Sequence, residues 1–209
     1  MKSTKVERAI GIILTKQTNI AKHVEGLNPE EKRRVLMYVA NESASSGFDH
    51  VMLESIKLLG FRDEEALIFA TAALGGHRPL MVPRIVKKFC RNTAIARCEL
   101  GSAARANLGM ADQLRGDESQ WIDGAVQCVE LMGEKIKPNA KGVSWNNDAT
   151  NLTLFILWVL EEAYAQERVR NKELYETTLQ QLRKLVPSES DWKWLQDNKR
   201  RMGGPRKHQ

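Results

Sequence analysis

The sequence predicts an all-α protein, a bundle of about seven or eight helices with one long buried helix in its second half. Apolar residues recur at spacings of three and four along nearly the whole chain, no stretch keeps the alternation of a half-buried strand, and helix start and stop signals follow one another at short intervals. The 209 residues are 42% apolar and 28% charged, an ordinary globular composition with enough apolar material for one large core or two small ones.

The first predicted helix covers about 4 to 24 and places Val6, Ile10, Ile13, Ala21 and Val24 on one side. In "LNPEEKRR" Asn28 can cap, Pro29 suits the first helical position, and Glu31 stands where a capping box needs its carboxylate. A second helix therefore starts there and runs to about 42, where "ESASSG" breaks it. Shorter helices follow at about 49 to 59 and 64 to 74, the latter closed by Gly75 and Gly76.

The next predicted helix runs from Pro83 to about Leu100. On a helical wheel Val82, Ile85, Val86, Phe89 and Thr93 share one face, and Arg84, Lys87, Lys88 and Arg91 share the opposite one. The small-residue stretch "GSAARANLGMAD" continues helically. A further helix turns Ile122, Val126, Val129, Met132 and Ile136 inward and ends before Pro138. Residues 137 to 149, "KPNAKGVSWNNDA", form a long polar loop carrying Trp145, suited to ligand binding or to an arm reaching a second subunit.

Beyond that loop a helix can run from about 148 to Val186, about 50 Å or more if unbroken at ~1.5 Å per residue. Its start, "LTLFILWVL", is apolar all round, which marks a helix buried on every side. Its second half narrows to the stripe Tyr175, Leu179, Leu182 and Val186, with a break open near 166 to 172. "SESDWKWLQDNKRR" makes a short final helix, and 203 to 209 reads as a disordered tail. The expected organisation is an amino-terminal helical lobe, 1 to 76, and a lobe of 77 to 202 that shares one core with it.

The apolar run at 152 to 160 is nine residues against the ~20 of a bilayer span, and the amino terminus lacks a signal-peptide pattern. A cytoplasmic or nuclear location is expected. Cys90, Cys98 and Cys128 are odd in number and without close pairs, so they read as reduced core thiols. There is no phosphate-binding Gly-rich loop, no Gly-x-Ser-x-Gly elbow, no His-Glu-x-x-His and no Glu-x-x-His. No catalytic residue, metal site or cofactor is therefore expected, and the acidic run at 63 to 65 reads as a helix cap or a solvated face.

Net charge is +6 and the pI about 9.3. Residues 1 to 76 hold ten basic and ten acidic side chains, 77 to 118 eight and four, 119 to 209 fourteen and twelve. No acid occurs from 77 to 98, whereas an ordinary surface helix interleaves signs to form i,i+4 pairs. The expected function is non-enzymatic binding of nucleic-acid backbone phosphates with weak sequence preference, RNA or single-stranded DNA favoured, in a protein of nucleoprotein or packaging type.

The expected binding residues are Arg78, Arg84, Lys87, Lys88, Arg91, Arg97, Trp145, Lys199, Arg200 and Arg201. A homo-oligomer is expected through Leu179, Leu182 and Val186. The alternative is a helical matrix or adaptor protein whose basic face meets an anionic membrane surface or an acidic protein partner.

Overall fold

The computed structural model describes residues 4–113, 118–134, 136, 148–165, 172–186 and 188–199. Among them all regular structure is helical, in eleven α-helices and one 3₁₀ turn rather than the seven or eight helices expected. The chain divides into two compact units, Met1–Asn92 and Thr93–Gln209. The boundary expected at 76/77 falls inside the first of them, because the helix after Gly76 packs back on the helix before it.

In the first unit α1 (Lys5–Lys16) opens on a capping box: the Glu7 N–H donates to Thr4 Oγ1 at 3.2 Å and the Thr4 N–H to Glu7 Oε2 at 2.9 Å. Gln17 then turns left-handed at φ 55°, its N–H closing on the Ile13 carbonyl at 2.8 Å, and Asn19 does the same at φ 54° before α2 (Ile20–Val24). The single helix expected over 4 to 24 is thus two. The interruption shifts the buried register, so that Ile20 and Val24 point inward and Ala21 faces solvent.

The start of α3 (Pro29–Ser46) is the one the sequence predicts, with the Glu31 N–H on Asn28 Oδ1 at 2.9 Å and the Asn28 N–H on Glu31 Oε2 at 3.1 Å. It continues four residues past the expected end, to the left-handed Gly47 at φ 92°. Two helices follow, α4 (Asp49–Leu59) and α5 (Glu64–Gly75). Ile13, Ile20, Val24, Val35, Leu36, Val39 and Val51 close one core cluster, each such side chain contributing roughly 1.5–3 kcal/mol by burial.

The basic helix is shorter than its pattern suggests. It spans Met81–Phe89 as α6, and Cys90 leaves it in extended conformation at φ −93°, ψ 125°. The cause lies 27 residues back: Asp63 donates its N–H to the Phe89 carbonyl at 3.3 Å and accepts the Arg91 N–H on Oδ1 at 2.8 Å, drawing the chain off the helical path. Thr93, expected on the apolar face of this helix, begins a 3₁₀ turn (Thr93–Ala96) in the second unit. The core face of α6 is as the wheel predicts: Met81, Val82, Ile85, Val86 and Phe89 are all buried.

The second unit contains α7 (Arg97–Gln113), α8 (Glu118–Met132), α9 (Ala149–Ala165), α10 (Lys172–Leu185) and α11 (Glu189–Asn198). The most extensive packing is between α7 and α8, with α9 against both. Ile122, Val126, Val129, Met132 and Ile136 are buried, as their spacing predicts. Four successive residues of α9, Asn151 to Leu154, are buried too, as expected of a helix enclosed on every side.

The long helix expected over 148 to 186 corresponds to α9 and α10, and residues 166 to 171 lie outside the described residues. Arg183 joins α10 to α11, with its guanidinium on Glu189 Oε2 at 2.5 Å and on the Val186 carbonyl at 3.2 Å, and over the Trp192 ring at 5.8 Å. Of the three cysteines expected in the core, Cys128 is buried, Cys90 is half-buried and Cys98 is exposed. No helix among the described residues is long and apolar enough to cross a membrane.

Candidate functional site

Three elements of the first unit bring cations to the surface around a buried aromatic group. Phe61, between α4 and α5, and Phe69 of α5 stack at 6.3 Å between centroids, and Phe61, Phe69 and Phe89 are all buried. The Arg33 guanidinium of α3 lies 5.0 Å from the Phe61 centroid. Arg62 lies 5.5 Å from the Phe89 centroid, and Lys88 Nζ 5.7 Å from the same point. Arg62 also donates from Nη1 to the Phe61 carbonyl at 3.0 Å.

Each contact places a cation against an aromatic ring without using up its hydrogen-bond donors, of which one, at Arg62, goes to the Phe61 carbonyl. Arg33, Arg62, Lys87, Lys88 and Arg91 are all exposed. Among the described residues no carboxylate forms an ion pair with any of the five. Compared with known protein families, curated proteins and solved structures, the chain has no significant match.

The other expected binding residues are placed differently. Arg78 is an internal clasp: its guanidinium is ion-paired with Asp49 at the start of α4 and reaches the Ser43 carbonyl at 3.4 Å near the end of α3. Arg84 reaches the other oxygen of Asp49 at 3.3 Å and Met81 Sδ at 3.9 Å. One half-exposed carboxylate is thus shared by Arg78 and Arg84, the second of them one of the four cations assigned to the basic face. The wheel did not reveal this, since Asp49 lies outside the acid-free segment.

Arg91 keeps its exposure but not its place on the helix, because α6 ends before it. Arg97 belongs to the second unit, where it pairs with Glu134 at 2.7 Å. Lys199 is only 17% exposed in its side chain and binds Glu161 at 3.1 Å and Gln196 at 2.9 Å, holding α11 against α9. Trp145, Arg200 and Arg201 lie outside the described residues.

Of the residues expected at a subunit contact, Leu182 and Val186 are buried within the second unit and Leu179 is half-buried. Their stripe is mostly occupied by the unit's own core. The large apolar side chains most exposed among the described residues are Tyr38, 49%, and Ile68, 53%, both in the first unit.

The acidic run at 63 to 65 stands at the start of α5, with Glu64 and Glu65 exposed in its first turn. Asp63 does not cap α5 with its side chain; its backbone sits at φ 50°, ψ −125°, and its carboxylate receives the Arg91 N–H. Among the described residues no group of three His, Cys, Asp or Glu side chains could hold a metal ion.

The sequence pattern missed Arg33 and Arg62. Both stand among acids, Arg33 after Glu30 and Glu31, Arg62 before Asp63, Glu64 and Glu65. A scan for acid-free stretches passes over them. The available signal was the Phe61-Arg62 pair in a turn following the left-handed Gly60, too short a pattern to separate from an ordinary loop.

Proposed function

We propose that the protein is a non-enzymatic, intracellular, self-associating nucleic-acid-binding protein of nucleoprotein or packaging type. It engages backbone phosphates with weak sequence preference and favours RNA or single-stranded DNA. The observation that carries this reading is the group Lys87, Lys88 and Arg91 at the end of α6: three exposed cations with no ion-pair partner among the described residues, in a segment with no acid from 77 to 98.

Ordinary surface cations are interleaved with carboxylates. A cluster left unbalanced raises the local concentration of polyanions and releases their counterions on binding. The aromatic rings nearest to it are buried, so the contact falls on phosphates rather than on bases, which supports the weak sequence preference.

The test is the salt dependence of binding to a fluorescein-labelled oligouridine, followed by anisotropy. Lys87→Gln, Lys88→Gln and Arg91→Gln together should weaken binding and reduce the slope of log K against log salt by about 2, since each phosphate that a cation neutralises on a single strand adds ~0.7 to that slope. Flotation with phosphatidylserine vesicles runs beside it. An unchanged RNA slope overturns the nucleic-acid reading, and loss of vesicle binding beside it assigns the cations to an anionic membrane surface.

Self-association is read by light scattering. Leu179→Asp, at a half-buried position, lowers the mass without unfolding if α10 meets a second copy. A wild type that stays monomeric at high concentration rejects that part of the proposal.

A further inference from the structure

We infer that Arg33 and Arg62 extend the phosphate-binding surface from the end of α6 onto α3, as a row of cations backed by aromatic rings that follows the phosphodiester backbone of single-stranded nucleic acid. This inference rests on the nucleic-acid reading above, and concerns residues on elements that the basic segment does not include.

The row is continuous in its anchors. Arg33 lies over the Phe61 ring, Arg62 donates to the Phe61 carbonyl and lies over the Phe89 ring, and Lys88 lies over that same Phe89 ring. Phe61 and Phe89 fix three charged heads from α3, the α4–α5 turn and α6 relative to one another. Arg91 is tied in through its N–H on Asp63, the residue next to Arg62.

Stacking on a ring restrains a guanidinium in advance, so less side-chain entropy is lost when its N–H edges close on phosphate oxygens. A carboxylate partner would have occupied those edges. No described acid takes them at Arg33 or Arg62, whereas Arg78 and Arg84 share Asp49.

Two features favour a single strand over a folded surface. The cations sit at the ends and turns of three elements rather than along one straight helix face, and a flexible backbone can bend to meet them. Phe61, Phe69 and Phe89 are buried, so the row offers no exposed ring on which a base could stack, and contact is confined to phosphates, unlike the stacking platforms of many single-strand binders.

The test compares the wild type with Arg33→Gln/Arg62→Gln, and both with Lys87→Gln/Lys88→Gln/Arg91→Gln, on the labelled oligouridine over a series of salt concentrations. The arginine double variant should bind several-fold more weakly, with the salt slope reduced by about 1.4 for two phosphates at ~0.7 each. A double variant with the wild-type slope overturns this inference and leaves the nucleic-acid reading standing if the triple variant shows a reduced slope. Wild-type slopes in both variants overturn the reading and the inference together.

Far-UV circular dichroism checks the fold. Should the Gln variant be unfolded, Arg33→Lys/Arg62→Lys keeps both charges and decides instead: it should keep the slope and lose affinity, because Lys supplies a point charge without the planar fork. Wild-type affinity in that variant overturns the role of the stacked guanidinium. Weakened binding to phosphatidylserine vesicles with unchanged RNA binding assigns the row to a membrane and overturns the inference as well.

Discussion

The carboxylate of Asp49 at the start of α4 holds the guanidinium of Arg78 in the turn before α6, joining segments 29 residues apart. Because that guanidinium also reaches the Ser43 carbonyl, its task is to fasten the α3–α4 corner to the α5–α6 turn. Arg78→Gln should therefore destabilise the first unit by about 1 kcal/mol, the scale of a partly exposed pair plus one hydrogen bond. The salt slope of RNA binding should stay at its wild-type value. A lowered midpoint in urea with an unaltered slope is the expected pair of results, and a reduced slope at unchanged stability would place Arg78 on the binding surface after all.

Asp63 should be sensitive for a different reason. It holds a left-handed φ of 50° while bonding both Phe89 and Arg91 across the end of α6. Asp63→Ala keeps the strained backbone and loses the acceptor, and should cost about 1–3 kcal/mol. Asp63→Asn retains an oxygen acceptor and should cost less. Hydrogen exchange at the Arg91 amide reads the local effect, with faster exchange expected in the Ala variant than in the Asn variant.

Gly76 is required for space alone. Its φ is −83°, which any residue adopts, but a Cβ there would come 2.8 Å from Ser45 Cα and 3.3 Å from the Ala44 carbonyl oxygen. Gly76→Ala must push the end of α3 away and should cost about 1–3 kcal/mol. At Gly60 the space is open and φ is 73°, so Gly60→Ala should cost only about 1 kcal/mol, from backbone strain. Chemical denaturation of the two variants separates crowding from conformation; equal losses would contradict the close approach at Gly76.

Asn107 of α7 is fully buried, and neither its amide nitrogen nor its amide oxygen has a hydrogen-bond partner among the described residues. A buried unpaired amide costs roughly 1–3 kcal/mol. Asn107→Leu, with the same branching of side-chain heavy atoms, should raise the melting temperature by a few degrees. A fall in melting temperature would mean that the amide is satisfied in solution by a bound water.

Burial pushes the Cys128 thiol from 9.0 up to about 12. This acid keeps its proton in the folded chain at pH values where the unfolded chain has lost it. Its contribution to stability is therefore complete below pH 9.0 and declines as pH rises towards 12, by about 1.4 kcal/mol per pH unit. Cys128→Ala should flatten the alkaline decline. In a thiol titration of the native protein Cys98, exposed, should react first and Cys128 only on unfolding.

Features decided within a few residues were legible in the sequence. Asn28, Pro29 and Glu31 predict the start of α3 because a capping box closes over one turn, and α6 shows its core face because Val82, Ile85, Val86 and Phe89 repeat at helical spacing. The end of α6 was not legible: Asp63, far back in the chain, decides it. The break at Gln17 and Asn19 was hidden as well, since polar residues on a solvent face fit a continuous helix equally well.

At the candidate site Lys87 and Lys88 were recognisable from the missing acids around them. The pairing of Arg78 and Arg84 with Asp49 depends on how α4 lies against the α5–α6 turn, and the stacking of Arg33 and Arg62 depends on where Phe61 and Phe89 pack. Both are tertiary facts, and residue spacing does not encode them locally.

Lys87 and Lys88 occupy the last turn of α6, and that position sets the manner of contact. Anion pockets built on a helix usually use its opening turn, where converging backbone N–H groups lock one phosphate in one orientation. At the closing turn the backbone presents carbonyls, which attract the lysines themselves and repel an anion. A strand on this surface would be touched by side chains rather than held in a backbone cradle, and a side-chain donor can exchange one oxygen for the next. Under the proposed function such a surface would let a polymer slip along without a fixed register, which suits coating it better than marking one address on it.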